Sequence, residues 1–355
     1  MRLDKVVMAN LRNIERAEMH PAAGVNWLVG GNGAGKTSVL EGIYLLARGN
    51  SFRLSRVGPV IRRGATVLRV HGQGTKDSGL GYSVGVERTA STCRVRINGE
   101  TAHRISDLVV GLPLQIIGSN SFHILDRGPS FRRRLLDWGV FHVEHAYRSW
   151  YSDYDRCLRQ RNAALRSRQA DFWIWDSELA RTAERITAWR HQYTAKISEF
   201  FVELAKDVPA VSNASFQYKQ GWPLGEPFAD FLRRTRRTDA TRGYTTAGIH
   251  TADLQVLVEG KPALEVLSRG HQKLFVVLLH LAQGKAVQQY AKETPVMLVD
   301  DLPSELDEPS SGTLLELIRE RHWQCFLTTV DERYSDAAAT ALDQMFHVKH
   351  GQIST

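Results

Sequence analysis

The chain has 355 residues, 43% hydrophobic and 24% charged, a composition that supports one large or two medium packed domains and excludes a disordered chain. A formal charge of +8 favours a polyanionic partner. The three cysteines, Cys93, Cys157 and Cys325, lack zinc spacing or a disulfide framework. The start of the chain has no apolar signal core, and no run of about 18 apolar residues occurs, so a cytoplasmic location without a membrane span is expected.

In chain order, Met1 to Ala9 alternates Leu3, Val6 and Met8 with charged residues and reads as an edge-type strand. A polar turn follows, Asn10-Leu11-Arg12-Asn13, and then strands over Glu18 to His20 and Val25 to Val29. Gly30-Gly31-Asn32-Gly33-Ala34-Gly35-Lys36-Thr37 is the phosphate loop GxxxxGK[ST], set between a strand and a helix expected over Lys36 to Arg48. Glycines let backbone N–H groups turn onto phosphate oxygens, and the helix start adds its positive end. Lys36 would reach the β- and γ-phosphates of ATP, and the Thr37 hydroxyl would ligate Mg²⁺.

Ala65 to Ile97 alternates as β structure, with Asn98-Gly99 as a hairpin turn. It predicts an antiparallel layer. Leu114 to Ile117 reads as a short buried strand. Pro129 to Phe141, Glu144 to Arg168 and Trp175 to Lys206 then carry helical periodicity, and their aromatic residues, among them Tyr147, Tyr154, Trp189 and Tyr193, lie at packing positions that predict core. Ser215 to Tyr218 is a candidate strand, and Phe228 to Arg237 a short helix. Ser121 to Thr245 holds 21 Lys and Arg against 15 Asp and Glu, which places most of the excess charge there.

Around Thr245 the nucleotide-type pattern is expected to resume. A strand over Asp253 to Val258 precedes a helix over Ser268 to Ala291 and a continuous apolar strand, Val296 to Val299, of the kind buried on both faces. That strand ends in Asp300-Asp301. Asp300 would hold Mg²⁺ or its water, and Asp301 would serve as general base. A helix over Ser310 to Arg321 and strands over Cys325 to Thr328 and Met345 to Val348 complete the chain. Leu267-Ser268-Arg269-Gly270-His271-Gln272 opens its helix with a hydroxyl and an unhindered glycine, a second anion site.

This last segment resembles the LSGGQ signature of the ATP-binding-cassette superfamily, with Arg269 and His271 as departures. Ser304-Glu305-Leu306-Asp307 is similar to that superfamily's SxLD loop. In that superfamily the signature touches the γ-phosphate of ATP held by another subunit, so the resemblance implies that Ser268 and Gly270 complete the site of a second copy. A transporter subunit is one alternative, opposed by the absence of a switch histidine in Phe326-Leu327-Thr328-Thr329-Val330-Asp331. A DNA clamp with a purely structural ATP site is another.

The Leu11-Arg12-Asn13 turn, the stretch Gly128-Pro129-Ser130-Phe131-Arg132-Arg133-Arg134-Leu135-Leu136-Asp137-Trp138-Gly139 and Gln160-Arg161-Asn162-Ala163-Ala164-Leu165 resemble the bacterial RecF family over nearly the whole length. The resemblance implies an α/β fold, an ABC-type P-loop ATPase head with an antiparallel β layer and an inserted, mainly α-helical domain. Expected boundaries are 1–120 and 246–355 for the head and 121–245 for the insertion. It further implies a weak DNA-dependent ATPase that dimerises around ATP, binds duplex DNA at single-strand gaps, and works with RecR and RecO to place RecA. It makes Arg12 a nucleotide contact and Gln115 a sensor of Mg²⁺ and γ-phosphate, although Gly118-Ser119-Asn120-Ser121 departs from the family's usual turn. Arg48, Arg53, Arg56, Arg62, Arg63, Arg132 and Arg133 are candidate DNA-phosphate contacts. Arg132-Arg133-Arg134 cannot all face one way on a helix, so one of them is expected to pair within the chain.

Overall fold

The computed structural model describes residues 1–54, 56–102, 104–301, 308–330 and 342–355. The chain forms two compact units, Met1–Ser121 with Val287–Thr355, and Phe122–Ala286. The first unit begins with β1 (Arg2–Leu11), β2 (Ile14–Met19), β3 (Val25–Val29), β4 (Leu68–Thr75), β5 (Gly81–Arg88), β6 (Cys93–Ile97), β7 (Glu100–Thr101) and β8 (Leu114–Ile117). The second unit carries β9 (Ala214–Lys219), β10 (Asp253–Val258) and β11 (Lys261–Pro262). The chain then returns to the first unit with β12 (Val296–Val299), β13 (Cys325–Thr329), β14 (Gln344–Lys349) and β15 (Gln352–Ser354).

Two sheets build the first unit. The expected antiparallel layer has the order β2-β1-β4-β5-β6-β7. β1 is paired on both sides, with β2 and β4, so it is internal rather than the edge strand its pattern suggested. Period-two alternation reports one buried face and says nothing about whether the ladder groups are paired. Asn98 and Gly99 both take positive φ, 51° and 88°, as a tight hairpin between β6 and β7 requires.

The second sheet has the order β15-β14-β3-β13-β12-β8 and is parallel from β14 to β8. β3, β12 and β13 are buried at every residue, which is why each reads as an apolar run, broken only by Asn26 in β3 and by Thr328 and Thr329 at the end of β13. The helix Lys36–Arg48 follows β3 and joins the antiparallel sheet in one apolar cluster that includes Leu3, Met8, Leu40, Ile43, Leu46 and Val70. Close approach depends on Gly42, where a Cβ would stand 2.5 Å from the Met8 sulfur.

The second unit is built on the helices Pro129–Val143, Tyr147–Arg166, Asp176–Ala205, Phe228–Arg242 and most of Arg269–Ala291. Tyr147, Tyr154, Trp189, Tyr193, Phe200 and Phe201 are buried, as the helical spacing predicted, whereas Tyr151 of the same stripe is exposed and Trp150 half-buried. The insertion ends later than expected. β10 pairs with β9 over six residues, so residues 246–286 pack with the helical unit and the head resumes at Val287 rather than near 246. An amphipathic strand must satisfy its ladder with whatever strand is nearest, and that partner is not written in its own pattern. No described helix is long and apolar enough to cross a membrane.

Candidate nucleotide site

Parallel strands place their carboxyl ends together, and three of those ends meet the phosphate loop in the first unit. β13 lies between β3 and β12, with Thr329 opposite Val29 and Leu327 opposite Val299. This register sets Thr328 level with Asp300. The Asp300 Oδ1 accepts hydrogen bonds from the Thr37 hydroxyl at 3.0 Å and the Thr328 hydroxyl at 2.9 Å. The Asp301 N–H donates to the Thr328 hydroxyl at 2.8 Å, and the Asp300 N–H donates to the Ile117 carbonyl at the end of β8. Asp301 is exposed and takes a φ of +57°, an unusual conformation for a residue with a side chain.

The glycines of the loop serve different ends. A Cβ on Gly30 would meet the Val348 carbonyl oxygen at 2.3 Å, so this position is closed by β14. Gly33 and Gly35 take φ of +76° and +118°. Gly31 has open space where a side chain would project, as the wall of an anion cradle needs. The Ala34 carbonyl accepts from the Asn13 side chain at 3.0 Å and from the Gly351 N–H at 2.8 Å, which pins the outer arm of the loop. Asn32 is exposed at its tip. The Lys36 ammonium donates to the carbonyls of Gly30 and Gly31 at 2.7 and 3.1 Å. Burial lowers its pKa from the ordinary lysine value, and the charges of Asp301 and Asp300 oppose that shift.

The oxygen set of Thr37 and Asp300 suits a hard divalent cation that keeps phosphate and water as its remaining ligands. No cluster of three or more His, Cys, Asp or Glu able to hold a metal occurs among the described residues.

Two expected members are not brought here. Gln115 is level with Met297 in the β8–β12 register, three residues short of Asp300, so about 10 Å of strand separates them. It lies within the sheet, and the metal-sensor role is not supported for it. Arg12 donates to both oxygens of the buried Glu41, at 2.7 and 2.9 Å, and to the Pro59 carbonyl. Its guanidinium is committed to the fold, and its neighbour Asn13 is the turn residue that reaches the loop. Thr328 and Asn13 escaped the sequence reading because each acts through partners more than twenty residues away along the chain. The polar ending of the otherwise apolar run of β13 was the available signal for Thr328.

In the second unit, Ser268 and Gly270 are exposed at the start of the helix Arg269–Ala291. The Ser268 hydroxyl accepts from the His271 N–H at 3.3 Å, and nothing lies within 4 Å of a Cβ on Gly270. Ser304-Glu305-Leu306-Asp307 lies outside the described residues. Arg132 and Arg133 are not free for DNA. Arg132 holds both oxygens of Asp253 and two backbone carbonyls, and Arg133 donates to the Ala252 carbonyl at 2.7 Å. Arg132 is thus the inward member expected of the triple-arginine run. In the first unit, Arg48 turns to the Leu114 carbonyl and Arg62 pairs with Glu15 at 3.0 Å, whereas Arg53, Arg56 and Arg63 are exposed.

The family described as RecF/RecN/SMC N terminal domain matches residues 2–354. A DNA replication and repair protein RecF of Aliivibrio salmonicida is 36% identical over 357 residues, covering 100% of this chain and 99% of the relative. The protein of that name from Pseudomonas paraeruginosa is 37% identical over 360 residues, covering 100% and 98%. A solved structure of the recombination mediator protein RecF with ATP in the RecFOR pathway matches with a TM-score of 0.87 at 22% identity, covering 99% of this chain and 96% of that one. An Smc head bound to the C-winged helix domain of ScpA gives a TM-score of 0.59 at 17% identity, covering 100% and 96%. The fold is that of a RecF/SMC head, an ABC-type ATPase architecture.

Proposed function

The chain belongs to the bacterial RecF family, and on that premise we propose that it is an ATP-gated DNA-binding protein of replication and recombinational repair. The observation that carries the reading is the cluster of Thr37, Asp300 and Thr328 at the carboxyl ends of adjacent strands, beside a glycine cradle and Lys36. ATP fits this site, and a RecF solved with ATP has the same fold.

Gly31, Gly33 and Gly35 would present backbone N–H groups to the phosphates, and Lys36 would leave the loop carbonyls for the β- and γ-phosphates. Thr37 and Asp300 would hold Mg²⁺, which when bound neutralises charge between the β- and γ-phosphates. Asp301, exposed beside Asp300, would orient or deprotonate the attacking water. Hydrolysis would be weak and DNA-dependent, timing release rather than driving synthesis. Ser268 and Gly270 would complete the site of a second copy, so that ATP closes a homodimer and hydrolysis loosens it. The DNA would be duplex next to a single-strand gap, in the cytoplasm, with RecR and RecO as partners in placing RecA. That a solved RecF with ATP is a recombination mediator of the RecFOR pathway supports that partner set. Membership of the RecF family disfavours the transporter alternative.

The test is sedimentation velocity with and without Mg²⁺ and ATP. The unaltered chain should dimerise with ATP, and Lys36→Met should neither bind ATP nor dimerise. Ser268→Arg should bind ATP and remain monomeric. A Ser268→Arg protein that dimerises normally would overturn the shared-site reading.

A further inference from the structure

We propose that the outer face of the antiparallel sheet is a contact surface for the DNA phosphate backbone, centred on Arg94 and Arg96 with Arg69 as a third cation. On β4, β5 and β6 the residues Leu68, Val70, Val84, Val86 and Val95 turn inward, so Arg69, His71, Gly85, Glu87, Arg94 and Arg96 share the opposite face. The register aligns Arg69, Glu87 and Arg94 across three strands, and His71, Gly85 and Arg96 in the next row. Gly85 has no side chain to fill the middle of its row, and these residues line a trough of about 370 Å³.

Charge on this face is unbalanced. Glu87 pairs with Arg69 at 2.8 Å and with Arg94 at 3.7 Å, so one carboxylate serves two guanidiniums. Arg96 has no ion pair among the described residues. Arg94 remains 82% exposed despite its contact with Glu87. Arg94 and Arg96 stand two residues apart on one strand, about 7 Å, so their guanidiniums can reach neighbouring phosphates of one DNA strand.

The occupant is nucleic acid rather than an acidic protein, because the face lacks an apolar anchor. None of the exposed large hydrophobic residues among those described lies on β4, β5 or β6. Protein interfaces centre on buried aromatic or aliphatic anchors, whereas phosphate contacts need only guanidinium donors.

This inference rests on the DNA-binding reading above and names a surface for it. The test is fluorescence anisotropy of a labelled duplex with the full chain and ATP, over a salt series. In Arg94→Gln/Arg96→Gln the dissociation constant should rise about tenfold, and the log–log salt slope should become shallower by about 2, close to 0.9 for each lost phosphate contact. Arg94→Lys/Arg96→Lys should restore both, and ATP affinity and the thermal midpoint should be unchanged in either variant. An unaltered constant and slope in the Gln variant would overturn the surface while leaving DNA binding intact. Failure of the unaltered protein to bind duplex would sink the surface together with the DNA-binding reading.

Discussion

Two buried arginines of the helical unit, Arg161 and Arg190, and the phosphate-loop lysine of the head, Lys36, end in opposite states. In the helical unit, Arg161 is fully buried and donates to Asp176, Asp239 and Thr245 at 2.7 to 2.8 Å. Arg190 likewise serves Asp137, the hydroxyls of Tyr147 and Tyr218, and the Ile249 carbonyl. These arginines are buried among partners supplied by the fold, and their role is to tie together segments of chain that are distant in sequence. In the head, Lys36 rests on the backbone carbonyls of Gly30 and Gly31, with the charges of Asp301 and Asp300 nearby. A charge whose partners are neutral carbonyls can change partners when phosphate arrives, whereas a buried guanidinium between two carboxylates cannot. The contrast teaches that basic residues in this chain are assigned by the partners folding leaves them, and local charge density is a poor guide.

Substitutions can break or sharpen that contrast. The largest effect is expected for Arg161→Ala, which removes the buried cation facing Asp239 and leaves Asp176 with Arg236 alone. It should lower unfolding free energy in urea by about 3–5 kcal/mol. Lys36→Met should leave the urea midpoint in place while ATP binding by titration calorimetry is lost, a fall of at least about hundredfold or about 3 kcal/mol. If both substitutions cost stability alike, the distinction between structural and available charge fails.

A smaller effect concerns pH. Burial pushes His280 down to about 4, and neither ring nitrogen has a hydrogen-bond partner among the described residues. Its folded value lies below the unfolded one, so the unfolded chain binds the extra proton between about pH 4 and 6.5 and stability falls as pH drops through that window. The contribution should be about 2 kcal/mol lower at pH 5 than at pH 7, and His280→Leu should flatten the slope of the urea midpoint over that range. Thr328→Val removes one donor to Asp300 and one acceptor for the Asp301 N–H. It should weaken Mg²⁺·ATP binding by about 1 kcal/mol, or roughly fivefold, with an unchanged fold by circular dichroism. Least of all, Arg53→Gln should move the thermal midpoint by no more than a surface substitution does, within about 0.5 kcal/mol.

Much of the nucleotide site was legible because it is local. The phosphate loop, the helix Lys36–Arg48 and the strand Val296–Val299 before Asp300 each need only consecutive residues to be recognised, and the observed bounds of that helix and strand match the expected ones. Gln115 and Arg12 lie away from the expected contacts for a different reason. Each depended on which residue of a neighbouring strand or helix would lie beside it, and a shift of three residues along β8 moves a side chain by about 10 Å. The extent of the insertion failed in the same way, since β10 joined β9 and not the head.

By itself, the sequence determined the secondary structure of the core, the identity of the phosphate loop and the acidic strand, and the family to which the chain belongs. These follow from periodicity, glycine placement and motif order, all of which are properties of short segments read along the chain. Only the tertiary structure decided that Thr328 joins Thr37 on Asp300, that Asn13 and Gly351 pin the loop, and that Arg132 is structural while Arg94 and Arg96 are exposed. Those outcomes depend on strand order and register, where hydrogen-bond ladders and burial bring together residues far apart in sequence.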